Sequence, residues 1–260
     1  MRLMFARYSN QIEWLGFFSL ILLAWTILYA MQPGAADAEI LKLYGADLWA
    51  AFCAPLTGRS TFAPVFLMWV LMSAAMMAPT FVPTMKTYRD LAHTSAADTN
   101  TTAALLAGYF VIWIGFSAVA AAAQLWLARL GLIDVSGASV NWGLTAVLFL
   151  VAGAYQFSPL KEACLSKCRA PLTFFLGNWQ PGAVGAARMG VQLGLICLGC
   201  CWALMSLGFV GGVMNLVWMG VATLLMVIEK LPDLGRYITR PLGILLLAGG
   251  IFSSLNAFGI

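Results

Sequence analysis

The sequence predicts an all-α fold, a polytopic transmembrane helical bundle. Three observations carry that expectation. Of 260 residues, 62% are hydrophobic and only 9% are charged, and the mean hydropathy is +0.89; a soluble domain needs far more charge on its surface. Seven stretches are apolar over something near the roughly 20 residues that cross a hydrocarbon core. The lysines and arginines gather on alternate connections, as the positive-inside rule requires.

The spans are expected near 14–31, 63–83, 103–130, 142–157, 189–209, 213–228 and 242–258, within a single membrane domain covering 1–260. The first has a basic start and small residues at Ala35 and Ala36, like a signal peptide. Its apolar core is long for one, so a retained helix is expected. An outer segment, 32–62, follows, with Asp37, Glu39, Asp47 and Cys53 on a short helix or loop at the outer face. The third span is long enough to tilt or to extend past the membrane. Residues 189–228 are nearly continuous, about twice too long for one span at ~1.5 Å per residue. The run divides at Val210, Gly211 and Gly212. The longest inner connection, 158–188, holds Phe174, Phe175 and Trp179 and is expected partly in the interface, where aromatic rings settle.

With the N-terminus in the cytoplasm, eleven Lys and Arg lie inside (Arg2, Arg7, Lys86, Arg89, Lys161, Lys167, Arg169, Arg188, Lys230, Arg236, Arg240). Three lie outside (Lys42, Arg59, Arg129). The expected orientation is N-in and C-out.

Several function classes fall away. The net charge of +4 comes without a basic tract, so no nucleic-acid partner is expected. His93 is the chain's one histidine, which rules out a His-based zinc or di-iron site within one copy. No nucleotide motif, Cys–His pair or paired carboxylates in a span point to an enzyme. No acidic residue lies deep in an expected span, so coupled proton or sodium transport lacks its usual carboxylate.

Sulfur stands out instead. In CLGCCWALM, residues 197–205, helical spacing puts Cys197, Cys200 and Cys201 on one side, with Met205 a turn farther along. Thiolates and thioethers are soft ligands that favour copper(I), with zinc less favoured. A bound cation would also offset the cost of a thiolate in lipid. A single cysteine is most often a small packing hydrophobe; three on one face followed by methionine favour a ligand or redox role. In MWVLMSAAMMAP, Met68, Met72 and Met76 recur every four residues, with Met77 beside them. Met is a common gap-filler, but as a set these thioethers could bind copper(I) without deprotonation. Pro79 cannot bond back to Ala75 and should kink the helix and free a carbonyl. In YQFSPLKEACLSKCRAP, Ser158 and Pro159 should start a helix. Cys164 and Cys168 then lie one turn apart at the cytoplasmic edge, with Lys161, Lys167 and Arg169 around them. Glu229 is expected to pair locally with Lys230, and Met214 lies near the outer end of the sixth span.

MWVLMSAAMMAP, SPLKEACLSKCRAP and CLGCCWALM, followed by GGVMN and EK, resemble an uncharacterised bacterial family of predicted metal-binding integral membrane proteins. The resemblance covers about 64–250. It implies a polytopic inner-membrane protein with a metal site drawn from Met72, Met76, Met77, Cys164, Cys168, Cys197, Cys200, Cys201, Met205 and Met214.

The first functional expectation is copper(I) binding for copper handling, transfer or metallation of a partner. That partner would be a copper enzyme or a periplasmic copper carrier, beside the lipid bilayer itself. Cys197, Cys200 and Cys201 would be the main ligands, near mid-membrane, with the methionine set of the second span facing them. A second expectation is a transmembrane thiol–disulfide relay through Cys197 with Cys200 or Cys201, and Cys164 with Cys168. Adjacent positions on a rigid helix meet disulfide geometry poorly, which weighs against it. A third is a structural subunit of a membrane complex whose cysteines only pack.

Overall fold

Each apolar stretch is helical. The computed structural model of the protein describes residues 2–30, 61–92, 99–134 and 136–259, with side chains from Trp14 onward. In chain order the helices are α1 (Arg2–Ala30), α2 (Phe62–Ala92), α3 (Thr99–Arg129), α4 (Trp142–Gln156), α5 (Pro159–Arg169), α6 (Pro171–Asn178), α7 (Gly182–Ser206), the short α8 (Gly208–Gly211), α9 (Leu216–Glu229) and α10 (Gly235–Phe258). No strand occurs among the described residues. Cys53, nearly all of the outer segment and His93 lie outside the described residues.

Four helices are long and apolar enough to cross a membrane: Phe62–Leu91, Asn100–Arg129, Gly182–Gly211 and Gly235–Phe258. Helices α4 and α5 pass the same test only together, as a pair bent by 63°. Trp14–Tyr29 and Leu216–Glu229 are apolar but shorter. Side-chain oxygens set several of the starts. Asn141 caps α4 through the amides of Gly143 and Leu144, Ser158 caps α5 through Leu160, and Asn215 caps α9 through Trp218. Pro159 stands at the first turn of α5, where its missing N–H costs nothing. Gly212, at φ 93°, makes the break between α8 and α9, a conformation that a side chain would strain.

Glycines bring the long helices together. On the α3–α7 face, a methyl added at Gly190 would lie 2.1 Å from the carbonyl oxygen of Leu105. One at Gly194 would lie 2.9 Å from that of Tyr109. Only bare backbone permits this approach, the small-residue packing of membrane helices. The contacts advance in step along both chains, so α3 and α7 run parallel. Between α4 and α10 the register is reversed: Gly243 meets Phe157, Gly153 meets Leu247 and Gly250 meets Leu150. That pair is antiparallel.

Helix α2 remains one continuous helix through Pro79 and Pro83. The carbonyl that Pro79 frees, Ala75 O, accepts from the indole of Trp25 on α1 at 3.1 Å. The freed acceptor is therefore used to dock a neighbouring helix.

Candidate metal centre

Helix α7 supplies the centre of the site. Cys197, Cys200 and Cys201 are all buried on its inward face, and their sulfurs all lie within 4.8 Å of one another. Cys200 Sγ is 3.3 Å from Cys201 Sγ. Cys200 also points its sulfur at the carbonyl of Cys197, 3.1 Å away.

The two thiol groups read separately in the sequence meet here. Helix α5 folds back against α7, and Cys168 Sγ lies 3.9 Å from Cys200 Sγ. Cys164 rests on Gly199, whose missing side chain leaves its room: a methyl there would be 2.6 Å from Cys164 Sγ. The end of α4 reaches the same backbone. Tyr155 donates its hydroxyl to Gly199 O at 2.5 Å and packs edge-on against Trp202.

Two residues not singled out as site residues from the sequence complete the centre. Tyr109, fully buried on α3, has its hydroxyl 3.0 Å from Cys197 Sγ and 3.4 Å from the Met77 carbonyl. Lys230, just past the end of α9, donates to Cys197 Sγ at 3.0 Å and to Thr80 Oγ1 at 2.8 Å. Thr80 in turn donates to Met77 O at 2.9 Å. Beside these groups is a gap of about 10 Å³, lined in part by Thr80, Thr84, Tyr109, Cys168, Cys197 and Lys230. That is about the volume of one small occupant.

The methionines stand apart from this gap. Met72, Met76, Met77, Met205 and Met214 are all buried, yet no methionine lines the gap. Helix α2 reaches the centre through Thr80, which meets Lys230, and through the Met77 carbonyl, which meets the Tyr109 hydroxyl. Met205 lies one turn beyond Cys201. Met214 stands past the Gly212 break, where its amide meets Ser136 O at 3.4 Å, at the opposite end of the bundle.

The charges around the thiols differ from the expectation. Glu229 does not pair with Lys230. Its carboxylate takes Lys161 at 2.8 Å, with both side chains almost fully buried, and Lys161 also donates to Gln156. Arg169 turns away from the cysteines to the Glu229 carbonyl (2.9 Å), Thr239 (3.3 Å) and Glu162 (3.4 Å). Two of the three cations expected around Cys164 and Cys168 thus hold the ends of α5, α9 and α10 together. A buried acid demands such partners, and it frees Lys230 to face Cys197.

The level of the site follows from helix length. Cys197, Lys230 and Gln156 are each 14 residues from the far ends of their segments, Gly211, Leu216 and Trp142. That is about 21 Å in each case. Helices α4 and α9 thus stop near the level of the thiols, while Cys197 itself lies midway along the Gly182–Gly211 span.

Fold and site together define the class: an all-α protein whose apolar helices, four of them long enough to cross a membrane, pack around a buried cluster of thiols suited to a soft metal. The family model described as PpoB2, copper chaperone, matches residues 66–253. The chain belongs to this copper chaperone family, and the match includes every residue placed in the centre. No curated protein and no solved structure matches the chain.

Proposed function

We propose that the protein is a copper(I)-binding membrane chaperone that takes copper in and passes it to a partner, either a copper enzyme or a periplasmic carrier. Cys197, Cys200 and Cys201 would hold the ion, and the observation that carries this reading is their mutual approach within 4.8 Å in a buried site. Thiolate sulfur selects copper(I) over harder ions. The chain has no second ligand type of comparable strength nearby: no carboxylate lies within hydrogen-bonding distance of the three sulfurs among the described residues.

Cys200, between Cys201 and Cys168, suits stepwise exchange. A copper(I) ion can bind a new thiolate before it leaves an old one, so Cys168 and Cys164 would load or unload the buried set. Lys230 supplies positive charge: copper(I) with two thiolates carries a net negative charge, which a neighbouring ammonium offsets. Met72, Met76, Met77, Met205 and Met214 would offer weaker thioether sites along the path to the opposite face, suited to release. In the N-in orientation the thiols face the cytoplasmic side of an inner membrane.

Cys168 and Cys200, on two facing helices with sulfurs 3.9 Å apart, give a second reading, a thiol–disulfide relay. One experiment separates the two. The full chain is purified without oxygen, copper and zinc are measured per chain, and free thiols are counted before and after mild oxidation. The copper reading expects high-affinity copper(I) uptake that protects thiols from oxidation. Reversible loss of two thiols, with no copper uptake, would replace it with the relay.

A further inference from the structure

The end of α4, the start of α5 and the start of α10 enclose a recess of about 1030 Å³, on which the copper reading makes no demand. Arg236 and Arg240 line it from α10. Both are exposed, and neither has an ion-pair partner among the described residues. Four residues apart on a helix, they share a face with about 5–6 Å between their Cβ atoms. They lie in the first two turns of α10, whose first turn has no acidic residue. Cations are unfavourable at that positive end of a helix, so helix stability does not explain them.

The rest of the recess agrees in sign. The 11-residue α5 opens into it at Ser158 and Pro159, another positive helix end. Its one acid, Glu162, faces the buried guanidinium of Arg169 at 3.4 Å. Around it the surface is lipid-like: Phe157, Ile244 and Leu245 are exposed apolar side chains.

We propose that this recess binds the phosphodiester headgroup of an anionic phospholipid. Arg236 and Arg240 would hold the phosphate, and the acyl chains would lie along Phe157, Ile244 and Leu245. Basic pockets between membrane helices at headgroup level recognise such lipids. Free phosphate would satisfy the arginines but leave the apolar surface unused. The proposal requires only that the bundle lies in a bilayer, and it stands apart from the copper reading.

Native mass spectrometry of the full chain tests it, with phosphatidylglycerol, phosphatidylcholine or inorganic phosphate as the probe. Wild type should retain phosphatidylglycerol in preference to phosphatidylcholine. The double variant R236Q/R240Q should lose about thirtyfold in retention, the effect of two cations near a headgroup. Lys86→Gln, which removes an exposed charge on α2 outside the recess, should behave as wild type. Equal retention of the two lipids, an unaffected double variant, an equal loss in Lys86→Gln, or displacement of the lipid by millimolar phosphate would each overturn the proposal. Unchanged thiol counts in the double variant show that the fold is intact.

Discussion

Lys230→Met tests whether the ammonium serves the thiols. Its Nζ lies 3.0 Å from Cys197 Sγ. At that separation, with an effective dielectric near 20, an ammonium and a thiolate attract by about 5 kcal/mol. Desolvation of both groups offsets much of this, and Lys230 is only partly buried. The net loss expected is that of a hydrogen bond to a charged group, about 1.5–3 kcal/mol. Copper(I) should therefore bind about 10- to 150-fold more weakly. Competition against a chromophoric copper(I) chelator, without oxygen, reads the change directly. Lys230→Arg keeps the charge and should recover most of the affinity. If Lys230→Met binds copper(I) as tightly as wild type, or more tightly, the lysine competes with the metal instead of compensating the thiolates.

Other perturbations address the scaffold. Glu229→Ala leaves Lys161 buried without its carboxylate and should cost about 3–5 kcal/mol in thermal unfolding; K161M/E229L should recover most of that loss, and no recovery would show that the pair is needed for more than charge balance. Gly190→Leu drives a side chain into the Leu105 carbonyl, 2.1 Å from the added carbon, and should cost at least the about 1–3 kcal/mol of ordinary overpacking. Gly220→Leu, at a position with open space, is the matched control and should unfold like wild type. Cys168→Ser should leave the copper content per chain unchanged but slow transfer of copper to an external chelator; a lost equivalent of copper would make Cys168 a principal ligand.

Much of the fold was legible because apolar length and capping residues are local signals. Ser158–Pro159 announced the start of α5, and the glycines at 211–212 announced the break before α9. That Cys197, Cys200 and Cys201 share one side followed from helical spacing alone; that this side is buried came only with the packing. What the sequence hid is what depends on how helices meet. The 63° bend between α4 and α5 brings Cys168 to Cys200, and nothing in the spacing of either motif encodes that angle. Tyr109 sits in an apolar run of α3 with no periodic cue and becomes visible only once α3 lies against α7. Glu229 and Lys230 are neighbours in sequence, but successive helix positions point in different directions, and each finds its partner on another helix. The methionine pattern of α2 was plain to read, but the gap beside Cys197 is lined from α2 by Thr80, Phe81 and Thr84.

X-ray absorption of the copper-loaded full chain measures the central site most directly. Wild type should hold one tightly bound copper(I) with only sulfur in its first shell, and replacement of Cys197, Cys200 and Cys201 together by serine should abolish that binding. A nitrogen or oxygen shell in wild type, or an unchanged sulfur shell in the triple variant, would place the metal elsewhere and contradict the thiol centre.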